Sequence, residues 1–82
     1  MSQQSKKRIT DKDKNILKAL SDLYIERQSG VGPSEIGQKV GRDKYDAAAY
    51  CNLSLKKLIE FNLVEKLPEG KYKPVDKDLH NY

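Results

Sequence analysis

The apolar residues of this chain change their period once, at Asn62. From Ala47 to Ile59 they recur at helical spacing, with Ala47, Ala48, Cys51, Leu55, Leu58 and Ile59 on one face. Beyond Asn62 the pattern predicts a strand over 63–67, a turn at Pro68-Glu69-Gly70 and a returning strand over 71–75. Asn62 suits the join because asparagine tolerates the left-handed conformation that ends helices. A long helix that runs straight into a hairpin sets the hairpin beside it. The hairpin then widens the surface that the helix presents.

The preceding residues predict two shorter elements and a first helix. Thr10 is a candidate cap, with Asp11 and Asp13 in the first turn where the helix dipole favours acids. Ile16, Leu17, Leu20, Leu23 and Tyr24 then form one apolar stripe. Gln28-Ser29-Gly30 ends that helix, with Gly30 as the residue expected to take positive φ. Val31, between glycines, suits a very short strand. Pro33 opens a second helix. Ile36 and Val40 face inward, Gly37 admits a neighbouring helix, and Gly41 stops the element. Arg42 to Tyr45 is either connection or first helical turn, and either Asp43 or Asp46 caps the third helix. Pro74 places the last strand at an edge.

The expected architecture is α+β and mostly α: one domain over residues 10–75, a basic arm over 1–9 and a polar tail over 76–82. At 82 residues the core is small, and a deep enclosed active site is hard to build. The net charge is +4, and Lys6, Lys7 and Arg8 supply three positive charges with no acid among the first eight residues. That mildly favours an acidic partner. The single cysteine, Cys51, excludes an internal disulfide and a cysteine-based zinc finger and reads as a small core residue. His80 has no accompanying ligand set. No run reaches the ~20 apolar residues of a membrane span, and residues 1–10 do not resemble a signal peptide. An intracellular protein, cytoplasmic or nucleoid-associated, is expected. No nucleophile with a base, paired carboxylates in an apolar setting, Walker motif or metal-ligand spacing occurs. Neither catalysis nor a cofactor or metal is expected.

"GPSEIGQKVG", followed a helix later by "LKKLIEFNLVEKL", resembles the winged helix-turn-helix family of DNA-binding domains. Ile36, Gly37, Val40 and Gly41 match its second helix. Leu55, Leu58 and Asn62-Leu63-Val64 match the end of its recognition helix and the start of its wing. Asn62 stands where the family commonly has glycine, and the stretch from Gly41 to Leu63 is about one helical turn longer. The resemblance covers roughly residues 10 to 75. It implies three helices with a C-terminal β-hairpin wing, helix three in the major groove of double-stranded DNA, and a small transcriptional regulator or chromatin-associated protein that pairs as a homodimer.

With Cys51, Leu55 and Leu58 inward, the outer face of helix three is expected to hold Asp46, Ala49, Tyr50, Leu53, Lys57 and Glu60, with Lys56 at the margin. Arg42 and Lys44 would meet phosphates or a guanine edge, and Tyr45 and Tyr50 a phosphate or a thymine methyl. Ala49 would let the helix sit deep. Solvated charge with tyrosines packed at the rim explains the same residues. Lys66, Lys71 and Lys73 suit phosphates beside the groove, though edge strands also carry lysine to discourage aggregation. Ser34 opens helix two, where backbone N–H groups suit a phosphate. Lys6, Lys7 and Arg8 form either a DNA-ordered arm or a solubilising tail. Ala49, Tyr50 and Leu53 also form an apolar patch of the kind that marks protein contacts. A protein-interaction module on the same fold is therefore the alternative, with Leu53, Tyr50 and Tyr82 as partner or dimer contacts.

Overall fold

The computed structural model describes residues 8–75, so Lys6, Lys7 and Tyr82 lie outside the described residues. The elements are α1 (Asp11–Arg27), α2 (Pro33–Lys39), α3 (Ala47–Glu60), β1 (Val64–Lys66) and β2 (Tyr72–Pro74). They form a small α+β domain, mostly helical, with one two-stranded antiparallel sheet. Ile16, Leu20 and Leu23 of α1, Ile36 of α2, and Cys51, Leu55 and Leu58 of α3 close the core with Val31 and Val64. No described helix is long and apolar enough to cross a membrane.

Each helix boundary has a local cause. Thr10 caps α1 through a reciprocal box: its hydroxyl accepts from the Asp13 N–H (3.2 Å), and the Asp13 carboxylate accepts from the Thr10 N–H (3.0 Å). The left-handed residue that ends α1 is Gln28 (φ 60°), not Gly30. Gly30 is instead small because the hairpin lies on it. A Cβ there would sit 2.6 Å from Leu67 Cδ1 and 3.0 Å from Lys71 Cβ. A non-glycine residue in the left-handed region is strained by about 1–2 kcal/mol. Gln28→Gly relieves that strain, gives back part of it as chain entropy, and loses the exposed Gln28 bond to the Ile25 carbonyl (2.8 Å). The expected result is a net gain of about 0.5 kcal/mol, read as a rise of about 2–4 °C in melting temperature.

Pro33 occupies the first turn of α2, as its fixed φ favours. Asp46, not Asp43, takes the N-cap position of α3, but its carboxylate makes no cap bond. It turns instead to Arg42, whose Nε lies 2.8 Å from Oδ2. Asn62 (φ 63°) closes α3. The Leu63 N–H donates to the Leu58 carbonyl and the Asn62 N–H to the Ile59 carbonyl, both at 2.9 Å. These two bonds make a Schellman motif, and they turn the chain from helix into hairpin within three residues.

The strands are shorter than the alternation predicts, three residues each, with Val64 opposite Pro74, Glu65 opposite Lys73 and Lys66 opposite Tyr72. Val31 pairs with Tyr72 through two bonds of 2.9 and 2.8 Å, so β2 has a neighbour on both sides at that residue. The edge position expected for Pro74 therefore holds only beyond this bridge. The Tyr72 N–H points to Val31, and by alternation the Pro74 nitrogen points the same way, past the last partner. The missing proline donor costs the ladder nothing.

Candidate functional site

Helix α3 buries Ala47, Cys51, Ser54, Leu55 and Leu58 and leaves Ala49, Asn52, Leu53, Lys56 and Glu60 exposed. Leu53 is 76% exposed, and Tyr45, in the turn ahead of the helix, is 85% exposed. Cys51 is fully buried among core residues, and burial pushes its thiol pKa up. A buried, protonated thiol is unreactive.

The free face differs from the expected one. Tyr50 and Lys57 do not lie on it. A helix advances about 100° per residue, and the exposed centre is turned by roughly 60° toward Asn52 and Lys56. Helix α1 is the cause, because its first turn covers the Tyr50 and Lys57 side of α3. Lys57 Nζ pairs with the Asp13 carboxylate at 2.7 Å and donates to the Arg8 carbonyl at 2.9 Å. Burial alone would raise the pKa of Asp13. Hydrogen bonds from Lys57, Ser54 and Thr10 outweigh it and hold the carboxyl well below the usual range. Tyr50 is half-buried, with Lys12 Nζ 4.1 Å and Arg42 Cζ 4.5 Å from its ring centroid.

Two further residues, Asn52 and Lys12, belong to this region. Asn52 carries a signal: 49, 52, 53, 56 and 60 are the i, i+3, i+4 complement of the buried set. Lys12 carries none, because nothing in a first-turn lysine marks which ring it will cover.

The remaining candidates divide by how committed their charges are. Arg42 is bonded to Asp46, which pushes the guanidinium pKa further up. Lys44 Nζ hovers 5.4 Å from the Tyr45 ring. Lys66 and Lys71 are exposed, with no ion pair among the described residues. Lys73 faces Glu65 across the hairpin at 3.9 Å and is partly neutralised. At Ser34 the geometry is unfavourable for an anion. Its hydroxyl accepts from Gln38 Nε2 (3.2 Å), while the Glu35 carboxylate accepts from the Gly32 N–H (3.3 Å) and pairs with Arg27 (2.5 Å). The opening turn of α2, seven residues long, thus presents a carboxylate. The phosphate contact expected there does not fit.

Two open grooves between α1 and α2 are lined by residues of both signs, among them Lys18, Asp22 and Lys39 in one and Arg27, Glu35 and Lys39 in the other. Neither includes a residue of α3.

No family model matches the chain, and no curated protein or solved structure gives a significant match.

Proposed function

We propose that this domain is a winged helix-turn-helix module that binds double-stranded DNA, with α3 in the major groove and the hairpin as the wing. The observation that carries the reading is the exposed face of α3. From Ala49 through Lys56 it holds a small residue, an amide, an apolar residue and a lysine, and no carboxylate appears before Glu60. Such a face approaches a polyanion without repulsion. Asn52 suits bidentate contact with adenine, Lys56 a guanine edge or phosphate, and Ala49 permits close approach. The pairing of Val31 with β2 supports the same fold, because it sets a one-residue bridge to the hairpin between α1 and α2. Lys66 and Lys71 stand free on the hairpin to meet phosphates beside the groove.

The test is a titration with duplex DNA at two ionic strengths. Affinity is expected to fall steeply with salt. Lys56→Ala and Lys71→Ala should each reduce the salt slope by about 1. Asn52→Ala is expected to cost about 1–3 kcal/mol on the preferred sequence and little on others. A small module has limited contact area, so the reading includes a pair of chains on the DNA. Light scattering of the complex reads that stoichiometry.

The exposure of Leu53 and Tyr45 supports a second reading, a module that docks on another protein through Tyr45, Ala49 and Leu53. Tyr50, half-buried under two cations, adds little to that patch. Salt-insensitive behaviour toward duplex, together with loss of a protein complex on Leu53→Asp, selects this second reading over the first.

A further inference from the structure

We infer that Lys12, Tyr50 and Arg42 form a phosphate clamp, a subsite that takes one phosphodiester of a nucleic-acid backbone beside α3. The inference rests on the nucleic-acid reading above. It adds a contact from α1, an element to which that reading assigns none.

The argument starts from charge. Lys12 Nζ lies 4.1 Å and Arg42 Cζ 4.5 Å from the centroid of one tyrosine ring. The two cations therefore stand no farther apart than the sum of those distances. One carboxylate, Asp46, serves the pair, and it is taken by Arg42 at 2.8 Å. Lys12 has no carboxylate partner among the described residues, although Asp11 is its chain neighbour. Two positive charges against one negative, converging on one ring, leave the cluster short of an anion.

Preorganisation is the second part. A free lysine loses rotamer entropy when a contact fixes it. Here the ring already orients Lys12, and the ring together with Asp46 orients Arg42, so less of that cost falls on binding. Both cations are exposed.

Position is the third part. Tyr50 borders Ala49 and Leu53 on the flank of α3 that faces α1. A duplex seated on the face from Ala49 to Lys56 brings a backbone alongside that flank. A phosphate there meets Lys12 from α1 and Arg42 from the turn before α3, so the clamp fixes how the helix lies in the groove rather than which bases it reads.

The experiment is duplex binding as a function of salt for the full chain and four variants. Lys12→Gln is expected to lower the salt slope by about 1, and Lys12→Arg to restore it. Tyr50→Leu keeps both charges but frees them, so it should weaken binding several-fold at nearly unchanged slope. Lys18→Gln, an exposed lysine on α1 paired with Asp22, should leave the slope as it is. Melting temperatures of all variants separate loss of fold from loss of contact. If the wild type binds duplex with a salt slope that Lys12→Gln does not change, the clamp is wrong and the nucleic-acid reading stands. If the wild type shows no salt-dependent binding, both fall.

Discussion

Replacing Gly37 by alanine is expected to destabilise the domain by about 1–3 kcal/mol. Two effects oppose each other. Inside a helix, alanine is better than glycine by roughly 0.5–1 kcal/mol, which alone would stabilise α2. Against this, the new methyl would lie 2.5 Å from Ala47 Cβ and 2.6 Å from the Ala47 carbonyl carbon, and would also strike the Ala47 carbonyl oxygen. These are mostly backbone atoms in the first residue of α3, so no rotamer change relieves the clash and the two helices must move apart. The clash wins because separating α2 from α3 loosens contacts along a whole interface. A domain of this size holds on the order of 4–12 kcal/mol in total. The variant should therefore melt about 5–25 °C lower by circular dichroism. Ala47→Gly in the same chain removes one of the struck atoms and is expected to recover part of the loss. A melting temperature unchanged or raised by Gly37→Ala would mean that the two helices are not in close contact.

This contact is legible in the sequence because glycine inside a helical pattern needs a packing reason, and Ile36 and Val40 on either side say which way the packing points. Asn62 was legible for a similar reason: few residues take a left-handed turn readily, and the change of period fell on one of them. Gln28 was not legible. A glycine two residues later looked the better candidate for positive φ, but Gly30 was needed elsewhere, under Leu67 and Lys71. That demand comes from residues some forty positions away, and local pattern carries no trace of it.

The candidate face shows the same division. The buried side of α3 follows from periodicity, and Cys51, Leu55 and Leu58 are all fully buried. The free side is not simply the opposite of the buried side. Helix α1 covers a flank, and what it covers depends on where its first turn lands. Tyr50 and Lys57 look exposed on a helix considered alone. Once α1 brings Lys12 and Asp13 against them, the face shifts to Asn52 and Lys56. Asp13 looked like a dipole-favoured acid in a first turn, and it is that, but it is also the carboxylate that binds α1 to α3.

Asp13→Ala is the second large effect, expected to cost about 3–4 kcal/mol. The carboxylate is almost fully buried and accepts from Lys57, Ser54 and the Thr10 N–H. Its loss removes half of the α1 capping box, worth about 1 kcal/mol. It also leaves the Lys57 ammonium, about a quarter exposed, with only the Arg8 carbonyl. That partial exposure keeps the cost below that of a fully buried unpaired charge. The pH dependence has a definite sign. The folded-state pKa lies well below the ordinary value of 3.8, so the unfolded chain takes up the proton first as pH falls. The stabilisation is complete above that value and is lost progressively below it. Melting curves between pH 2 and 7 should show the wild type falling on the acid side, with Asp13→Asn less stable at neutral pH and flatter in acid. The difference between the two curves isolates this group from the other carboxylates. Lys57→Met acts from the other end: it removes the partner that offsets burial, so the carboxyl pKa rises toward its unfolded value, and the variant, less stable at neutral pH, loses less stability in acid than the wild type. An Asp13→Asn curve parallel to the wild type throughout would mean that the pair contributes nothing to joining α1, α3 and the backbone at Arg8, and the orientation of the exposed α3 face would then need another cause.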